Sequence, residues 1–172
     1  MKTIKIILGV ITVLILAFFL TGLVVQEVVY TTKVEVNKPI DKVFADFQNV
    51  ELMQQWMPEV KSIETLEEKP NKIGSTYKIV VENQGKLVTM TEKILEYKEN
   101  EQITFHFDAE NMLKTDDYVF ISKGNATKIL QTSTCTSESY IMSCLFPYFK
   151  GALKKMSQQY LENFKKASEA HN

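Results

Sequence analysis

Glu92 is the charged residue whose position in the sequence could carry chemistry. Strict alternation along its strand places it on the same face as the apolar residues Met90 and Ile94. A carboxyl group among such neighbours has a raised pKa and could orient a ligand or act as an acid or base. A β-bulge near Glu92 would instead turn it to solvent, because Leu95 and Tyr97 then take the apolar parity. The cost of burying an unpaired carboxylate favours the bulge.

The remaining reactive residue types form no catalytic or metal-binding set. Alternation sends His106 to the face opposite its two Phe neighbours, so a nucleophile–His–acid triad is not expected. Asp116–Asp117 and Glu110 lack a matching set of ligands and are interpreted as a solvated turn. Cys135 and Cys144 are interpreted as small buried residues, with a disulfide as the alternative in an extracytoplasmic domain. We therefore predict no catalytic residue, no metal and no cofactor.

The composition excludes some classes of protein. The 172 residues include 20 basic and 21 acidic side chains, with a formal net charge of −1. This balance argues against nucleic-acid binding, which needs a dense basic surface. All the basic residues are Lys, so bidentate Arg clamps for phosphate or carboxylate groups are absent. The length suits one domain with a small appendage.

The appendage is an apolar N-terminal segment. Lys2 and Lys5 precede an uncharged run from Ile6 to Val25, which is 20 residues long. At a rise of ~1.5 Å per residue, a helix of this length spans ~30 Å, the thickness of the hydrocarbon core of a bilayer. We predict an uncleaved transmembrane anchor at residues 1–26, with a cleaved signal peptide or a buried core helix as alternatives. The flanking Lys residues predict a single-pass protein with a cytoplasmic N-terminus and an extracytoplasmic domain.

The residues from 27 to 172 have the pattern of one α+β domain. A strand at 27–36 precedes two short helices, which begin near Pro39 and Asn49. A long helix at about 141–169 ends the chain and contains Pro147. Six further alternating segments, separated by turn signals, predict an antiparallel meander; they are Val60–Leu66, Ser75–Glu82, Lys86–Tyr97, Gln102–Asp108, Asp117–Ser122 and Ala126–Ser137.

This order of elements resembles the helix-grip fold of the SRPBCC superfamily, which includes START lipid-transfer domains, polyketide cyclases and birch-pollen-allergen proteins. The local sequences at 37–44, 55–60 and 161–166 are also similar to that superfamily, at the entry to the first helix, the entry to the second strand and the end of the last helix. The resemblance covers roughly residues 28–170 and implies a curved seven-stranded antiparallel sheet that holds the long C-terminal helix. Its motifs are structural, so they indicate the fold rather than an activity.

The resemblance further implies a cavity between sheet and helix that binds apolar small molecules or lipids. Alternation and helical spacing select the side chains that could line it, although core packing is the simplest role of each. These candidates are Trp56, Tyr77, Ile79, Met90, Glu92, Phe105, Phe107, Tyr118, Phe120, Phe149 and Leu153.

Three functions remain open at this point. The first is a membrane-anchored binding domain for an apolar small molecule or lipid, attached through residues 6–25. The second is a cyclase-like or dehydratase-like enzyme in which Glu92, Tyr77 or Tyr118 acts as acid or base, which requires two or more ionisable groups facing one pocket. The third is a structural module with a filled core. The sequence identifies no protein partner and predicts no nucleic-acid ligand.

Overall fold

The computed structural model describes residues 2–83 and 85–171. Four helices and seven strands follow one another in the order expected from the sequence. Helix α1 spans Lys2–Val24, α2 spans Ile40–Phe47, α3 spans Val50–Trp56 and α4 spans Tyr140–Ala170. The strands are β1 (Val28–Val36), β2 (Val60–Glu67), β3 (Thr76–Asn83), β4 (Lys86–Lys98), β5 (Gln102–Ala109), β6 (Met112–Lys123) and β7 (Ala126–Thr136).

All seven strands form one antiparallel sheet in the order β1-β7-β6-β5-β4-β3-β2. Strands β2 to β7 are neighbours in sequence, so short turns connect them as a meander. The first strand closes the far edge by pairing with the last. This is the helix-grip architecture, and it confirms the fold class that the sequence predicts.

One face of the sheet, the inner face, packs towards α4. Along β1 the side chains alternate strictly between buried and exposed, because every second residue points to the inner face. Residues directly opposite each other on paired strands share a face. One row across the sheet therefore joins Val28, Cys135, Lys114, Phe107, Glu92 and Tyr77 on the inner face.

The end of the sheet next to α2 is closed by aromatic side chains. Helix α2 begins after Pro39, and α3 is capped by the Asn49 side chain, which accepts hydrogen bonds from the backbone N–H groups of Glu51 and Leu52. Rings from both helices, the sheet and the second half of α4 pack around Phe47 in stacked, tilted and edge-to-face pairs, at centroid distances of 4.8–5.4 Å. We call this group the aromatic core; it comprises Phe44, Phe47, Trp56, Tyr118, Phe120 and Phe164.

A buried carboxylate fixes the last turn of α4 to α2. Asp46 accepts hydrogen bonds from Lys38 Nζ at 2.8 Å, Ser168 Oγ at 2.7 Å and His171 Nδ1 at 2.7 Å. Lys38 Nζ also donates to the Ser168 and His171 carbonyl oxygens, which the helix end leaves without helical partners. Burial acts to raise the pKa of Asp46, but the three donors together outweigh it and hold that pKa below its usual value.

Helix α1 is long and apolar enough to span a membrane. Its last turns pack against the beginning of α4. The Thr21 hydroxyl donates to the Cys144 carbonyl oxygen at 3.3 Å, and Gly22 lies so close to Cys144 that a Cβ atom there would overlap the Cys144 Sγ atom. Cys135 and Cys144 are both buried free thiols, which agrees with the expected small apolar role.

Candidate ligand-binding site

The inner face of β3, β4 and β5 is only partly covered. Helix α4 lies mainly over β1 and against α3, at one side of the sheet. Several inner-face side chains of the three strands are consequently half-buried, although Ile79, Ile94 and Ile103 are buried, whereas the edge strand β1 buries all of its own inner-face side chains. We call the space over these strands the hollow; its half-buried lining comprises Tyr77, Val81, Val88, Met90, Glu92, Phe105 and Phe107.

A chain of hydrogen bonds crosses the inner face beside the hollow. The Thr32 hydroxyl donates to the side-chain Oε1 atom of Gln131 at 2.8 Å, and the side-chain Nε2 atom of Gln131 donates to the Ser133 hydroxyl at 3.1 Å. Ser133 in turn donates to Asp116 Oδ1 at 2.6 Å, and Lys114 Nζ donates to Asp116 Oδ2 at 2.7 Å. We call these five residues the polar cluster. Because every donor finds an acceptor, the cluster avoids the cost of unsatisfied buried groups.

The ion pair of the polar cluster remains charged inside the protein. Burial acts to lower the pKa of Lys114, but the Asp116 carboxylate beside it outweighs this effect, and the net shift is upward. Burial, with a further contribution from Asp116, raises the pKa of Tyr118 well above its usual value, so its hydroxyl stays protonated. Tyr30, whose hydroxyl lies 3.2 Å from Ser157 Oγ of α4, also has a raised pKa because of burial. The site thus combines one ammonium group with neutral phenols.

Glu92 points into the hollow. The expected bulge exists, but it lies between Ile94 and Glu96, so the extra residue is Leu95 and Glu92 keeps the parity of Ile94. The favoured prediction that Glu92 turns to solvent is therefore wrong. Burial, reinforced by the Asp116 carboxylate, raises the pKa of Glu92 to about 8. Within residues 2–83 and 85–171 no side chain forms an ion pair or hydrogen bond with the Glu92 carboxyl group.

The first half of α4 forms an apolar wall on one side of that helix. Its residues at helical spacing enclose a depression of about 270 Å³. Phe149 and Leu153, both proposed from the sequence, are part of this wall, and Leu153 also contacts the small apolar group around Val28 and Cys135. The full lining is Met142, Phe146, Phe149, Ala152, Leu153 and Met156.

Some residues proposed from the sequence belong to the packed end of the interior. Trp56 is 2% exposed and lies between Phe47 and Phe164 in the aromatic core. Phe120 and Tyr118 are also buried there, with Tyr118 at the boundary between the aromatic core and the polar cluster. Ile79 shares the inner face with Met90 but is buried. A ligand-contacting role for any of these residues stays a prediction.

Sequence reasoning missed the polar cluster. The interpretation of Asp116–Asp117 as a solvated turn is wrong, because β6 begins at Met112 and Asp116 is buried within it. The alternation that selects Tyr118 and Phe120 also selects Lys114 and Asp116, four and two residues before Tyr118, so the signal was present. His106 lies on the opposite face, as expected, and its Nδ1 atom is 3.1 Å from the Thr115 hydroxyl. No group of three potential metal ligands occurs among the described residues.

Comparison with known families agrees with this architecture. A family model described as polyketide cyclase / dehydrase and lipid transport matches residues 27–169. The chain belongs to this family. A comparison with curated proteins finds no match, so the family is the level at which sequence assigns the chain.

Solved structures of other proteins share this fold at low sequence identity. The Zhui aromatase/cyclase from Streptomyces sp. R1128 has a TM-score of 0.70 at 14% identity, over 83% of this chain and 94% of its own. A START superfamily protein from Mycobacterium smegmatis has a TM-score of 0.63 at 20% identity, over 82% and 94%. Ara h 8.0201 has a TM-score of 0.63 at 16% identity, over 83% and 97%. These likenesses establish the fold alone.

Proposed function

We propose that this family member is a membrane-anchored domain that binds an apolar small molecule or lipid in the hollow. The apolar body of the ligand lies between β3–β5 and the first half of α4, where burial contributes ~25 cal/mol per Å² of apolar surface. The ligand's polar group meets Glu92 at the edge of the polar cluster. The observation that carries the proposal is the Glu92 carboxyl group, which lies on a half-buried apolar face and has no partner among the residues that the structure describes.

The side chains at the edge of the polar cluster determine which polar group of a ligand fits beside Glu92. With a pKa of about 8, Glu92 is mostly protonated at neutral pH and donates a hydrogen bond. The Lys114 ammonium group is already paired with Asp116, so it offers no free charge to an anionic ligand. A neutral acceptor such as a carbonyl, ether or hydroxyl oxygen therefore fits this position better than a carboxylate or phosphate.

The anchor follows from α1. Its length and apolar composition support a single membrane span at residues 6–25, and the short connection from Val24 to Val28 keeps the domain near the bilayer. The flanking Lys residues support a cytoplasmic N-terminus with the domain on the other side of the membrane.

The binding proposal is tested by filling the hollow. We would purify the full chain from membranes, with Met90→Trp to occupy the hollow and Thr89→Trp as its control on the opposite face of β4. Extraction and mass spectrometry should recover an apolar compound from the wild type and Thr89→Trp but not from Met90→Trp. Lipids that adhere to α1 cancel in this comparison. Identical extracts from all three proteins would contradict binding in the hollow.

A cyclase-like enzyme is the second candidate, and a specific observation favours it. Glu92, Lys114, Asp116 and Tyr118 converge on one part of the inner face, which satisfies the requirement for more than one ionisable group. A carboxyl group with a pKa near neutrality can remove a proton next to a carbonyl and return one to a leaving hydroxyl. The similar Streptomyces structure is described as an aromatase/cyclase.

The two candidates separate in a turnover assay. The full chain would be incubated with a linear poly-β-keto thioester, and the products examined for ring formation with loss of water. An enzyme should turn the substrate over, and Glu92→Gln should bind it without converting it. An unchanged substrate that nonetheless protects the chain from thermal unfolding would leave binding as the function.

A further inference from the structure

We propose that the first half of α4, Tyr140–Met156, is a second membrane contact. The occupant of this surface is lipid. The inference rests on the membrane anchor of the proposed function and goes beyond it, because it assigns a lipid-contacting segment within the domain.

The contact between α1 and α4 sets the depth of this segment. Phe18 stacks on Tyr148 and Phe19 on Tyr140, each with ring centroids 6.2 Å apart. Phe18 lies seven residues before Val25, the end of the apolar run, so at ~1.5 Å per residue it is ~10 Å below that end. Amphipathic helices at a membrane surface bury their apolar face to a similar depth, about 5–10 Å. The two Tyr rings therefore lie within the depth that an amphipathic helix at a membrane surface reaches.

The same contacts set the direction of α4. Tyr140 and Tyr148 are eight residues apart, or ~12 Å along the helix, yet they meet adjacent residues of α1. Helix α4 consequently crosses α1 steeply rather than running alongside it. Since a membrane-spanning helix runs close to the bilayer normal, the first half of α4 runs close to the membrane plane.

The exposed residues of this segment are those that lipid would cover. Ile141 is 58% exposed, Tyr148 62%, Phe149 52% and Met156 43%, which is unusual for large apolar side chains on a domain surface. The depression of about 270 Å³ is lined by the same part of α4 and includes Phe149 and Met156. The depression and the exposed apolar side chains are therefore parts of one surface, which adjoins the last turns of α1.

A fluorescence experiment on the full chain tests the contact. Trp would be introduced by Phe149→Trp or Ile141→Trp, both at exposed positions, and the chain placed in nanodiscs that contain phospholipids brominated along the acyl chain. The control is Leu66→Trp, at a position where Leu66 is 54% exposed. Leu66 precedes the β2–β3 turn, and Lys72 of that turn donates a hydrogen bond to Gln48 at the end of α2. This control position is therefore at the end of the domain away from α1. Trp56 is buried in the aromatic core and supplies a constant background, measured in the unsubstituted chain.

We expect brominated lipid to reduce the added emission at positions 149 and 141 by about twofold or more, and to leave the emission at position 66 unchanged. If brominated lipid changed the added emission equally at all three positions, the proposal would be overturned. A Trp at 149 that bromine does not quench, yet that is shielded from aqueous acrylamide, would also overturn it, since a protein surface or a second copy of the chain would then cover the segment. Resistance of the same samples to alkaline extraction measures the anchor separately, so a failure of α1 to insert is distinguished from a failure of α4 to touch lipid.

Discussion

The two halves of α4 carry one apolar stripe but meet different surroundings. In the second half Phe164 is fully buried against Phe47 and Trp56, and the interior is filled with rings. In the first half Phe149 and Met156 continue the stripe with no α3 opposite them, and they are exposed beside a depression. One end of the interior is therefore filled and stabilises the fold, and the other is the end at which we propose that a ligand binds.

The largest expected effect comes from the packed half. Phe164→Ala should lower the free energy of unfolding by about 3–5 kcal/mol, because it removes a buried ring and leaves a cavity. Phe149→Ala, in the same helix and of the same chemistry, should cost less than about 1 kcal/mol, because its ring is already exposed. Denaturant titration of the full chain in detergent gives both values. Equal losses would mean that the open half is packed as tightly as the closed half.

The ion pair of the polar cluster should give the next largest effect. Lys114→Met leaves the Asp116 carboxylate buried without its ammonium partner, which typically costs about 3 kcal/mol or more. Combining Lys114→Met with Asp116→Asn should recover part of this loss, because no uncompensated charge remains and Ser133 can still donate to the amide oxygen. If the double variant were less stable than Lys114→Met, the loss in Lys114→Met could not be due to an unpaired buried Asp116 carboxylate.

These residues also mark where sequence reasoning succeeds and where it stops. Periodicity found all seven strands, because alternation is imposed locally by the strand itself. It began β6 at Asp117, however, since the polar run before it has no apolar signal, and this left Lys114 and Asp116 in a turn. Burial of charges is decided by partners on other strands, such as Ser133 on β7, and those pairings are not present in a local pattern.

Glu92 shows the same limit at a finer scale. The sequence indicated a bulge in β4 from the change in apolar parity, and the bulge exists. The position of the bulge decides whether Glu92 faces the hollow or the solvent. A bulge at Glu92 would turn the side chain to solvent, but the bulge lies three residues later, so Glu92 faces the hollow. Trp56 shows another limit: the sequence selects it as a possible ligand contact, the two short helices carry it into the aromatic core, and contact with a ligand stays a prediction.

The raised pKa of Glu92 predicts a pH-dependent stability that is specific to the open half. Below pH 4.5 both the folded and unfolded chains hold this proton, and Glu92 costs nothing. Between pH 4.5 and about pH 8 the unfolded chain releases the proton while the folded chain retains it, so the free energy of unfolding falls as pH rises. Because the side chain is partly exposed, we expect a loss on the order of 2 kcal/mol across this interval. Urea titrations of Glu92→Gln should lack this component, and a wild-type slope that survives the substitution would assign it to another group.

The smallest effect is expected at Asp46, the buried carboxylate at the closed end, and it has the opposite sign. Three donors lower the pKa of Asp46, so its contribution is complete above about pH 3.8 and is lost as pH falls through the folded-state pKa. Asp46→Asn should remove about 1 kcal/mol of stability at neutral pH and less below pH 3.8, where the wild type has itself lost the charge. Asp41→Asn, an exposed change on the same helix, controls for the loss of charge alone. Matching losses in the two variants at neutral pH would show that the donors around Asp46 contribute little, whereas a larger loss in Asp46→Asn would show that the closed end stabilises its carboxylate in the charged form, the opposite of the effect of burial on Glu92 at the open end.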